Sequence, residues 1–269
     1  YERLGDVRAR AITLGKVADV LQARGDLDEA LRIRREEELP VYERLGDVRA
    51  RAIALGRVAD VLQARGDLDE ALRIRREEEL PVYERLGDVR SCAITVGKVA
   101  DVLQTRGDLD EALRIRRDEE IPVYEHLGDV RARAITLGKV ADVLWARGDR
   151  DQALGTYRDA LSTLTVHSFA ADAAHLRVTL SMRLVQLGAF REAAEALTPA
   201  NLEIIARTRS AVDYVAARLW RAAALVRLGT GPAQSEARRL LRSLEAERLT
   251  PPNQRFVADL KRELNSGRR

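Results

Sequence analysis

Aromatic residues make up only 4% of this 269-residue chain, which holds one cysteine, one methionine and three histidines. Each shortage excludes something. A lone Cys92 rules out an intramolecular disulfide, so the chain is no disulfide-stapled scaffold, and a reducing, cytoplasmic setting is expected. Of the histidines, His167 and His175 lie two helical turns apart, too far to share one metal ion. No apolar run approaches the roughly 18 residues of a membrane span, and the start does not resemble a signal peptide. With 46% hydrophobic residues but so few rings, the core must be Leu, Val, Ile and Ala, which suits helix packing better than sheets.

Motifs of catalysis are missing too. There is no P-loop, G-x-G-x-x-G, H-E-x-x-H, C-x-x-C or G-x-S-x-G pattern. Carboxylates come in crowded runs such as Glu36-Glu37-Glu38 behind Arg34-Arg35. That pattern fits a charge-paired, solvated helix face, not the isolated, buried pair that acid-base chemistry requires. No catalytic residue, metal ligand or cofactor site is assigned, and the chain is not expected to be an enzyme.

What fills the chain is repetition. Tyr1–Val41 and Tyr42–Val82 differ only at Thr13/Ala54 and Lys16/Arg57; Tyr83–Val123 departs from the first copy at six positions, and the fourth copy drifts after Trp145. A fixed period of this size signals a stacked solenoid, in which each unit buries its apolar face only against its neighbours. Duplicated units offer duplicated surfaces, whereas an active site needs unlike groups converging on one point.

Within one repeat, Asp6 is placed to cap a helix A over Val7 to Arg24, with Ile12, Leu14, Val17, Ala18 and Leu21 at helical spacing. Gly25 stops that helix, Asp26 is expected to cap helix B, and Gly46-Asp47 repeats the signal. Two-residue turns make the pair an antiparallel hairpin. Pro40, Pro81 and Pro122 are expected to kink helix B. Arg34, Arg75 and Arg116 sit at a normally apolar place, so each should find a carboxylate, with Glu38, Glu79 and Glu120 one turn later.

At Gly25-Asp26-Leu27-Asp28-Glu29-Ala30 the unit resembles the tetratricopeptide repeat, with a Gly, a bulky residue two later and a small Ala five later. The pattern recurs at Gly66/Ala71, Gly107/Ala112 and Gly148/Ala153, with an echo at Gly188/Ala193. At 41 residues the unit is similar to the lengthened subclass of kinesin light chains and bacterial regulatory arrays. The resemblance implies an all-α, right-handed α-α superhelix of antiparallel hairpins whose Ala18 and Ala30 let the two helices touch. It also implies a protein-interaction scaffold or sensor arm within a larger bacterial regulator. In that family ligands lie in a concave groove lined by helix A. Carried onto this chain, the groove residues are Asp19, Gln22, Asp60, Gln63, Asp101, Gln104, Asp142 and Trp145, beside Gly15, Gly56, Gly97 and Gly138, with Lys16 at the edge. Such a ladder suits an extended protein or peptide ligand, and Trp145 is either its anchor or a packing residue.

Two regions are expected: residues 1–165 as four near-identical hairpins, and 166–269 as degenerate hairpins with a capping helix. In that second part helices are expected at about Phe169–Leu187, Phe190–Leu197, Ala211–Leu228, Ser235–Glu247 and after Pro251-Pro252. The first three copies hold 23 Lys and Arg against 27 Asp and Glu, the remainder 23 against 16. The basic remainder supports an alternative, nucleic-acid or polyanion binding through Arg238, Arg239, Arg242, Arg248, Lys261 and Arg262, although interleaved aromatics are missing. Finally, the first helix A lacks a preceding helix B. The protein is therefore expected to continue upstream, and this chain to expose a patch bordered by Ile12, Leu14 and Val17 that favours head-to-tail self-association.

Overall fold

In the computed structural model, which describes residues 6–208 and 211–266, every regular element is a helix. Repeat 1 comprises α1 (Val7–Arg24), α2 (Leu27–Arg32) and α3 (Leu39–Arg44); repeat 2 comprises α4 (Val48–Arg65), α5 (Leu68–Arg73) and α6 (Leu80–Arg85). Repeat 3 follows with α7 (Val89–Arg106), α8 (Leu109–Arg114) and α9 (Ile121–His126), and repeat 4 with α10 (Val130–Arg147) and α11 (Arg150–Val166). Helices α1, α4, α7 and α10 are the four copies of helix A.

The ends of helix A are built as its sequence dictates. Asp6, Asp47, Asp88 and Asp129 each accept a hydrogen bond, at 2.8 to 3.0 Å, from the amide three residues on. Gly25, Gly66, Gly107 and Gly148 close the helices in the left-handed region, with φ of 88° to 99°. Asp26, Asp67 and Asp108, however, do not cap the second helix: no amide donates to their side chains. Arginine takes them instead. Arg65 holds Asp67 and reaches Asp28 of the preceding repeat at 2.8 Å; Arg106 does the same with Asp108 and, at 2.7 Å, with Asp69.

Helix B departs from expectation at its prolines. Instead of a simple kink, Ile33–Glu38, Ile74–Glu79 and Ile115–Glu120 form a widened π turn, in which the Leu39 amide bonds to the Arg34 carbonyl five residues back. The proline, which has no amide to offer, follows at once as the second residue of the next helical segment. Repeat 4 supplies the control: it has no proline there, and α11 runs as one α-helix. It is also one residue shorter than helix B of the other repeats.

Two compact units result: residues up to Thr136 with Asp142–Asp149, and Leu137–Ala141 with Arg150 onward. In the first, the small residues lie where the two helices meet: Ala18, Ala30, Ala59, Ala71, Ala100 and Ala112 are all fully buried. Ile12 does not join this core. Its counterparts Ile53 and Ile94 are also about half exposed, in repeats flanked on both sides, so the residue belongs to an outer face and not to the packing stripe. The second unit continues with α12 (Ala170–Gln186), α13 (Phe190–Ala196), α14 (Pro199–Arg207), α15 (Ala211–Leu228), α16 (Gly231–Glu245) and α17 (Pro251–Ser266). The helix not anticipated is α14. Leu197 leaves helical geometry, and Thr198 then caps a new helix at Pro199 by accepting the Asn201 amide. Among the described residues no helix is long and apolar enough to cross a membrane.

Candidate partner-binding face

The helix A residues expected to line a groove prove to be half committed to the interior. Arg34, Arg75 and Arg116 are at most 2% exposed, and each finds two carboxylates. In repeat 2, Arg75 Nη1 donates to Glu79 Oε2 at 2.9 Å while Nη2 donates to Asp60 Oδ1 at 2.6 Å and to the Gly56 carbonyl at 3.3 Å. Repeat 3 then joins in: Thr95 Oγ1 donates to Glu79 Oε1 at 3.2 Å and Lys98 Nζ to Asp60 Oδ1 at 3.1 Å. Arg34 binds Glu38 and Asp19 at 2.9 and 2.5 Å, and Arg116 binds Glu120 and Asp101.

Two consequences follow for the ladder. Asp60 and Asp101 are not free acceptors for a ligand; they are the outer rungs of buried ion-pair triads. The glycines beside them are packing devices: a Cβ on Gly15, Gly56 or Gly97 would stand 2.5 to 2.6 Å from a carboxylate oxygen of Glu38, Glu79 or Glu120. Burial pushes the carboxyls of Glu38 and Glu79 above the usual glutamate range, against the pull of the neighbouring guanidinium. Repeat 4 abandons the device. Tyr157 and Leu161 stand where the others have Arg and Glu, and Tyr157 is fully buried.

The remaining ladder residues keep partial access. Gln22, Gln63, Gln104, Asp142 and Trp145 are half-buried, Asp19 is exposed, and Gln63 Nε2 donates to Thr105 Oγ1 at 3.2 Å across the repeats. The stripe that is open to solvent in repeat 2 is Ile53, Arg57 and Ala64, with Asp60 at its edge. Sequence periodicity missed Ile12, Ile53 and Ile94 as surface residues, because an apolar residue at helical spacing reads as core. The signal that finds them is the stack itself, which leaves helix A a third face.

The other candidates fall out singly. Among the described residues no group of three or more His, Cys, Asp and Glu is placed to hold a metal ion. His175 Nδ1 lies 3.1 Å from Asp213, and His167 stacks on Phe169. Cys92 replaces the arginine that pairs with Glu43 in repeat 2 and Glu125 in repeat 4, and burial with nearby Glu84 and Asp88 pushes its thiol up. Of the basic candidates, Lys261 is paired with Glu245 and Arg262 with Asp259, while Arg238 and Arg242 line a cleft of about 210 Å³ with Lys261.

A chain of antiparallel hairpins with small residues at each helix contact is an α-α solenoid protein. The tetratricopeptide repeat model matches residues 18–36, 49–77, 100–118 and 141–159, so the chain carries a tetratricopeptide repeat in each of its four repeats. No curated protein matches its sequence. Among solved structures it is similar to a signal transduction ATPase with a tetratricopeptide repeat sensor from Pyrococcus horikoshii, with 16% identity and a TM-score of 0.71 over 93% of this chain. The chain spans only 38% of that protein's length. A Rap protein complexed with Competence and Sporulation Factor gives 16% identity and a TM-score of 0.63 over 93% of this chain and 74% of its own. The nearly identical repeats assigned to a kinesin light chain of Podosopora anserina give 18% and 0.58, over 73% of this chain and 94% of theirs.

Proposed function

We propose that the four hairpins form a docking scaffold for an extended peptide or protein segment laid along the helix A faces, and that the chain acts as the interaction or sensor arm of a larger bacterial regulatory protein in the cytoplasm. The observation that carries this reading is the isoleucine at one place in each repeat, half exposed at Ile12, Ile53 and Ile94 although the stack around Ile53 and Ile94 is complete. Beside each runs a lane in which the aspartates are already neutralised by arginine, leaving Gln22, Gln63 and Gln104 as amides for a peptide backbone. Such a lane favours a ligand with apolar side chains at regular intervals over one rich in charge. Trp145, half-buried, stands at the repeat 4 end of the lane in the place of its glutamine. The sensor described for the ATPase and the factor held by the Rap protein support the reading by analogy of architecture.

The test is selection from a displayed peptide library on the whole chain, followed by titration of the winning peptide. Ile53→Asp should weaken it by about tenfold or more, and Gln63→Ala by less, with little change between low and high salt. Binding that ignores both changes and collapses with salt supports the second reading instead, polyanion binding at Arg238 and Arg242, which lie one turn apart on α16 beside one cleft. Self-association is proposed for the face of α1 that carries Val17 and Val20.

A further inference from the structure

The second unit contains a cavity of about 310 Å³ among α11, α12 and α14 that the docking surface does not use. Its walls are apolar, from Leu164, Ala173, Ala174, Ile204 and Ile205, and one guanidinium lines it: Arg177. Arg177 occupies the place on α12 that Leu14, Leu55, Val96 and Leu137 hold in the four repeats before it. It is half-buried, and its Nη2 donates to the Thr165 hydroxyl at 3.2 Å. Among the described residues it makes no ion pair. The contrast within the molecule is sharp, since the buried Arg34, Arg75, Arg116, Arg218 and Arg221 all hold a carboxylate. Burial alone acts on the Arg177 guanidinium, pushing its pKa down with no carboxylate to oppose it.

A second feature marks the same cavity. Ser168 sits at φ 59° where Gly46, Gly87 and Gly128 adopt 62° to 64°, so a side chain has been placed in a left-handed position that the repeats reserve for glycine. That residue also lines the cavity, as does Asn201. From these we infer that the cavity is a binding site for a small monocarboxylate with a short aliphatic chain, its carboxylate on Arg177 at the polar rim and its chain against the alanine and isoleucine wall. A neutral alcohol would leave the guanidinium unpaired. A peptide end would bring several backbone amides and carbonyls to a lining whose polar groups besides Arg177 are only Thr165, Ser168 and Asn201, the last of which already donates to the Ala196 carbonyl at 3.0 Å.

Calorimetric titration of the whole chain with octanoate decides it. Saturable binding is expected, with octanol and N-acetyl-leucine each at least about tenfold weaker. Arg177→Leu restores the residue of the other repeats; it should keep the helical circular dichroism and weaken octanoate by about ten- to a hundredfold, the range for losing a charge-assisted bond. Ile204→Trp, which fills the cavity from an exposed position, should abolish binding with Arg177 in place. No saturable heat, octanol binding as well as octanoate, N-acetyl-leucine binding as well as octanoate, or undiminished binding by Arg177→Leu would each overturn the assignment.

Discussion

The carboxylate of Glu79 lies against the backbone of Gly56, so close that a Cβ on Gly56 would stand 2.6 Å from Oε1. A glycine inside a helix ordinarily costs about 1 kcal/mol relative to alanine, yet here the alanine would displace a buried ion pair. Gly56→Ala is therefore expected to destabilise the chain by about 1 to 3 kcal/mol. Gly155, also inside a helix, has nothing within 4 Å of its would-be Cβ. Gly155→Ala should stabilise by about 0.5 to 1 kcal/mol, so opposite shifts of the urea midpoint check the pair of changes together.

Arg75 is buried with two carboxylates, so removing it leaves Glu79 in the interior without its cation. Arg75→Ala is expected to cost about 3 to 5 kcal/mol. Repeat 4 shows how the position can be filled without charge. The double change Arg75→Tyr, Glu79→Leu copies its Tyr157 and Leu161, removes the buried Nε–H that has no protein partner, and should cost less than about 1 kcal/mol or stabilise. Chemical denaturation of single and double variants separates the outcomes. A double variant as unstable as the single one would show that the triad itself stabilises the hairpin.

Thr95 donates to Glu79 and Thr136 to Glu120, at 3.2 and 3.0 Å, but repeat 2 carries Ala54 where Glu38 needs the same donor. Ala54→Thr should add about 1 kcal/mol by supplying it, and Thr95→Val should remove about as much. The titration of these carboxyls has a definite sign. Because burial raises the Glu38 and Glu79 pKa in the folded state, the native chain holds those protons to higher pH than the unfolded one. Their contribution to stability is full below the ordinary glutamate range and is lost as pH rises through the folded values. Carbon-detected NMR titration should find both glutamates above the exposed Glu29, whose bond to Arg32 holds it below the usual range.

The period, the caps at Asp6 and Gly25, the helix A span and the glutamate partners of Arg34, Arg75 and Arg116 were legible in the sequence because each is set by neighbours within a turn or one repeat. The π turn was not, since proline announces a missing hydrogen bond without saying whether the helix bends or widens around it. Gln63 and Trp145 could be placed on helix A but not weighed as ligands. The role of Asp60 depended on how far Arg75 reaches, and that distance exists only after folding. Ile12 was grouped with the packing residues for a related reason: one amphipathic stripe is visible in a sequence, while a stacked helix has two buried flanks and one open face.

Val17 and Val20 are 43% and 59% exposed on α1, whereas their counterparts Val58 and Val61 on α4 are at most 1% exposed and Val99 and Val102 on α7 at most 3%. Leu14 is half-buried, so the apolar face lies further along α1 than the sequence suggested. In repeats 2 and 3 the matching face packs against the helix B segment of the repeat before, α2 on α4 and α5 on α7. A second copy offering any similar helical surface would bury the same valines, each worth about 1.5 to 3 kcal/mol when fully covered. Sedimentation over a concentration series is therefore expected to show reversible association, and Val20→Glu to abolish it, because a glutamate in a dry contact has no partner there. A wild-type chain that stays monomeric at the highest concentration would mean that this face remains in water.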